Sequence, residues 1–229
     1  MAFTFADLLE TLGGNHQHGG VSECSVGEIA TAIEYNNMAQ LKALFPLETF
    51  SDTTSVAYVP SIFCNSYPKR NKRGRMFLPR VLANSAASAR DNLVNIEHGI
   101  SDNGGTREDI IGHIKASAFP WNESADLPTT PLPMYALNTL YLRHPRVKDI
   151  LSERERTKKW FTSMECGHDL KQACLSYRGE FIPVKDADPG MMECVKKLSI
   201  SPYKGHELSL CLGGEQGSVG NLHRGSPRG

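Results

Sequence analysis

From Ser55 onward the chain is cut into short strand-like runs separated by turn signals, and this punctuation limits the fold more than any other feature. Val56–Cys64, Leu93–His98, Asp109–Phe119, Met134–Leu142 and Lys158–Cys166 are each rich in β-branched or aromatic residues, the side chains that suit a pleated, packed surface. Ala173–Tyr177 and Glu180–Val184 flank Arg178-Gly179 as a hairpin would, and Glu207–Leu212 is a further strand. Between these runs lie two helix patterns. Leu78 to about Asn92 has Pro79 in its first turn, and Pro145–Thr157 points Val147, Ile150 and Leu151 inward. Asp188-Pro189-Gly190 starts a further helix that Asp188 is placed to cap.

The amino-terminal region has a different texture. Thr4–Leu12 and Ser25–Phe45 read as helices, the second with a capping-box pattern at Ser25 and Glu28, with Asn36-Asn37 weakening its middle and Pro46 stopping it. The expected organisation is a helical appendage over residues 1–50, a β-rich domain over 55–214 and a loose Gly/Ser/Arg tail over 215–229.

The 229 residues carry 25 basic and 25 acidic side chains. A neutral chain lacks the basic excess of most nucleic-acid binders, and the basic loop Lys69–Arg75 has no interleaved aromatic residues for base stacking. No nucleic-acid partner is expected. No run of about 18 apolar residues is present to cross a membrane, and Met1–Gly14 lacks the basic start of a signal peptide. Six scattered cysteines in a chain of this length suit free thiols in a reducing cytoplasm. His16 and His18 have no third ligand nearby. Cys166, His168, Cys174 and Cys194 lack paired Cys-X-X-Cys geometry, so neither metal nor cofactor is expected.

The chemistry-bearing positions lie in two of the strands. Ser163 sits inside Trp160–Cys166, and with a period of two it shares a face with Phe161 and Glu165. Taken by itself, a serine there is most simply an ordinary core residue with satisfied hydrogen bonds. His98 ends a short apolar strand beside the glycine-rich loop Asp102–Thr106, a place where catalytic groups are often held.

The order of these parts resembles the prohead (capsid maturation) serine proteases of tailed bacteriophages, which are similar in fold to the herpesvirus assemblin proteases. The likeness spans residues 55–214 and is carried by Asn95-Ile96-Glu97-His98, Ile111-Gly112-His113-Ile114 and Ser163-Met164-Glu165-Cys166. It implies an α+β protein, a mainly antiparallel β-barrel surrounded by helices. It also implies an endopeptidase acting in the host cytoplasm inside the immature prohead, with scaffold and major capsid proteins as substrates, self-association and autocleavage.

In that family a histidine at a strand end and a serine on a later strand form the catalytic pair, which match His98 as general base and Ser163 as nucleophile. A serine hydroxyl needs such a base, and the imidazole needs a third group to orient it. Asp188 has about the downstream spacing the family suggests and is the preferred third member. Glu165, Glu180, Asp186 and His113 are alternatives, the last giving a Ser-His-His arrangement. The rival expectation is a catalytically inactive capsid-associated protein that keeps the protease fold.

Overall fold

A computed structural model describes residues 23–28, 36–51, 53–70, 75–96, 110–122, 126–157, 160–166, 174–177, 180–191, 193, 209–212 and 218–224. The fold is mixed α+β, a curled, mainly antiparallel sheet with a few helices.

The strands are β1 (Glu23–Glu28), β2 (Val56–Asn65), β3 (Arg75–Phe77), β4 (Leu93–Ile96), β5 (Ile110–Ala118), β6 (Pro133–Tyr141), β7 (Trp160–Cys166), β8 (Cys174–Tyr177), β9 (Glu180–Pro183), β10 (Ser209–Leu212) and β11 (Ser218–Arg224). The helices are α1 (Met38–Leu44), α2 (Pro79–Ser85), which tightens into a 3-10 turn over Ala86–Ala89, and α3 (Pro145–Thr157). Seven strands form one sheet in the order β1-β7-β11-β4-β5-β6-β2, and four form a second in the order β3-β10-β8-β9. Pairing is antiparallel except for β11 with β4 and β10 with β3. The large sheet curls enough to bring β1, at one edge, within 8 Å of β2, at the other.

Both faces of the large sheet are covered where it is best packed, so β2 is buried along most of its length instead of alternating. Ala57, Val59 and Phe63 point to the larger core with Ala136, Leu140, Ile114, Val94 and Ile96. That core also takes Leu82 of α2, Val147, Ile150 and Leu151 of α3, and Phe77, Leu175 and Val184 from the second sheet and its flank. On the other face, Tyr58, Ala116 and Leu137 receive Leu41 and Phe45 of α1. Burying each of those two side chains contributes about 1.5–3 kcal/mol. Pro60 is tolerated within β2 because this strand ends the sheet order.

Three expectations are corrected. Residues 25–28, expected to open a helix running to Phe45, are in β1 and pair with β7; among the described residues of that span Met38–Leu44 are helical. Asn36-Asn37 start that helix instead of weakening it. Asn36 takes a left-handed conformation (φ 57°) and exchanges bonds with Tyr58: its Oδ1 accepts the Tyr58 N–H at 2.8 Å and its N–H donates to the Tyr58 carbonyl. Asn37 Oδ1 accepts the Gln40 N–H as the helix cap. The stretches 23–28 and 38–50, expected in an appendage, are therefore built into the main body. Finally, residues 218–224, expected in a loose tail, form β11 between β7 and β4. The expected Thr4–Leu12 helix lies outside the described residues.

Candidate functional site

Strand order and register place the predicted catalytic strands close together. β7 and β4 are separated only by β11. Ser163 is in register with Asn221 of β11, and Asn221 with Asn95 of β4. Two strand spacings put position 163 about 10 Å from position 95 across the sheet. On its other side Ser163 pairs with Val26 of β1. β4 ends at Ile96, two positions before His98, and His98 itself lies outside the described residues.

Register also assigns faces. Ile96 belongs to the larger core, and it is level with Leu222, which is level with Thr162. Positions 222 and 162 thus share the larger-core face, and position 163 belongs to the face that carries α1. Asn95, Leu93, His113 and Thr139 are on that same face, because Leu93 pairs with His113 and His113 with Thr139. Asn95 is buried, and its Oδ1 has no hydrogen-bond partner among the described residues.

The preferred third member is not brought together with position 163. Asp188 Oδ1 accepts the Met191 N–H at 2.8 Å, capping the helical residues 189–191 as its Asp-Pro-Gly context anticipates. Its neighbours Ala187 and Met191 pack against the larger core, on the opposite face of the sheet. Glu180 opens β9 in the second sheet, and Asp186 closes the 3-10 turn Val184–Asp186; both are exposed. Glu165 lies two positions from Ser163 on β7 and so belongs to the same face.

His113 occupies β5, three strand spacings from β7, or about 14 Å. That is too far for its ring to meet the Ser163 position directly. Its Nδ1 instead lies 3.0 Å from Tyr141 Oη, the two rings tilted at 41° with centroids 5.8 Å apart. Partial burial holds the imidazole below its usual pKa; Asp91 opposes that shift and Lys115 adds to it. The His113–Tyr141 pair escapes a reading of the sequence because its members are 28 residues apart and meet only through the β5–β6 register.

Among the described residues, no group of three His, Cys, Asp or Glu side chains is placed to hold a metal ion, and no helix is long and apolar enough to cross a membrane. Cys64 is buried, and burial pushes its thiol up to about 12. A thiol held protonated in this way is a poor nucleophile. No family model, curated protein or solved structure matches this chain.

Proposed function

We propose that the chain is a serine endopeptidase of the capsid-maturation kind, acting on scaffold and capsid proteins inside an immature phage head. In this reading the curled sheet closes as a barrel ringed by helices. Ser163 is the nucleophile and His98 the general base. The observation that supports it is the sheet order: β4, which leads into His98, lies one strand away from β7, which carries Ser163.

The chemistry follows from this proximity. Neutral imidazole removes the serine proton as the hydroxyl attacks the scissile carbonyl, then returns a proton to the leaving amine. A carboxylate on the other ring nitrogen stabilises the imidazolium. Of the four carboxylates considered from the sequence, we assign this role to Glu165, which is two positions from Ser163 on β7, whereas Asp188 is engaged as a helix cap. Asp188 is kept as the cap that its hydrogen bond describes.

The test is co-expression of the full chain with the scaffold and major capsid proteins of its phage. Cleavage by the wild type that is abolished in Ser163→Ala and His98→Ala supports the reading. Processing that continues in both variants, or that never occurs, favours a structural protein with an idle protease fold.

A further inference from the structure

The face of the large sheet that includes position 163 also carries a small amphipathic shelf, made by Leu93, His113 and Tyr141. Leu93 and Tyr141 stand out because they are 40% and 38% exposed, although both sit on strands of the main sheet. Between them His113 is half-buried, with its Nδ1 engaged by Tyr141 Oη. That bond leaves Nε2 as the ring's other polar atom. If Tyr141 donates, Nε2 carries the proton and is a donor; if Tyr141 accepts, Nε2 is an acceptor. Opposite His113 in the ladder stands Thr139, whose Oγ1 is buried beneath the shelf and has no hydrogen-bond partner among the described residues. Apolar flanks around a hydrogen-bonding ring suit an extended polypeptide, which offers an apolar side chain and main-chain amide groups together.

The spacing fixes where such a segment would belong. Position 163 is level with position 95, position 93 is two residues along β4, and position 93 is level with His113. Three strand spacings and two residues of rise put the shelf about 15 Å from position 163, or four to five residues of an extended chain.

We infer that Leu93, His113 and Tyr141 form a distal specificity subsite of the proposed endopeptidase, holding an apolar substrate side chain four or five residues from the cleaved bond. This rests on the serine endopeptidase reading. Two sources of failure are therefore kept apart in its test.

Full-length wild type, Ser163→Ala, the double variant Leu93→Ser/Tyr141→Ala and the single variant Leu93→Lys are each incubated with peptides from a Lys-C digest of a bacterial proteome. Cut sites are read by mass spectrometry. The wild type is expected to favour apolar residues about tenfold at a position four or five residues from the cut bond. Both shelf variants should lose that preference. Circular dichroism identifies any variant that fails to fold, and the wild-type profile alone still tests the position. Cleavage by the wild type with no distal preference, or with one unchanged in a folded shelf variant, overturns the subsite. Absence of any Ser163-dependent cleavage overturns the endopeptidase reading and takes the subsite with it.

Discussion

Gly112 sits where β5 and β6 leave almost no room for a side chain. A Cβ built there would lie 2.1 Å from the Thr139 carbonyl oxygen and 3.1 Å from the Leu140 Cα. Real Cβ contacts stay beyond 3.0 Å, so Gly112→Ala must push β5 and β6 apart by about 1 Å, and the opposing atoms are backbone with no rotamer to adopt. Overpacking costs about 1–3 kcal/mol, and a rigid wall belongs at the upper end. Alanine restricts the unfolded chain and returns about 0.4–1 kcal/mol. The net loss is about 2 kcal/mol. At about 2–4 °C per kcal/mol for a chain of this size, the melting temperature should fall by about 4–8 °C. Thermal melts by circular dichroism, paired with urea unfolding, measure it. Gly190→Ala is the internal control: among the described residues its Cβ would meet only the Asp188 side chain, at 3.2 Å. A Gly112→Ala protein that melts within 1 °C of wild type would refute the β5–β6 register. That register is also what places His113 opposite Thr139 and supports the distal subsite.

Leu41→Ala empties a fully buried position between α1 and the sheet and should cost about 2–5 kcal/mol in urea unfolding; a loss below 1 kcal/mol would mean that α1 does not pack there. The folded pKa of His113 is lowered, so the unfolded chain binds the proton more readily. Its contribution to stability is present above the unfolded value of about 6.5 and is lost as pH falls through the lower folded value. NMR titration should place the His113 ring below 6.5, and His113→Gln should flatten the fall in melting temperature below pH 6.5. Cys64, fully buried and held protonated, should stay unlabelled by iodoacetamide at pH 8 in the native protein and react once it is unfolded in urea, as peptide mass spectrometry would show.

Local signals made much of the fold legible. Pro145 and the inward Val147, Ile150 and Leu151 mark α3 with its observed limits, and the Lys158–Cys166 run contains β7, observed over Trp160–Cys166. Asp188 reads as a helix cap from the same kind of local evidence. Elements held by distant partners carry no such local signal. Ser25 and Glu28 match a helix-start pattern, yet their stretch pairs with β7. Ser218–Arg224 contains glycine and asparagine, poor strand formers, and is drawn into the sheet by neighbours on both sides.

The candidate site divides along the same line. Ser163 on a strand was readable from its neighbours. Sequence spacing favoured Asp188 as its remote carboxylate, because no spacing rule reveals which face of a sheet a distant segment covers. Asp188 is engaged as a helix cap between residues that pack on the larger core, and Glu165 is two positions from Ser163 along β7. Asn221, level with both Ser163 and Asn95, gave no sequence signal, since it lies in the stretch read as a tail.

The most direct test of the central claim is covalent labelling of the full chain with a fluorophosphonate, located by peptide mass spectrometry. The account predicts one modified residue, Ser163, with labelling abolished in Ser163→Ala and slowed at least a hundredfold in His98→Ala, the usual scale of a lost general base. A folded wild type that takes no label at Ser163, or that takes it equally fast without His98, would contradict it.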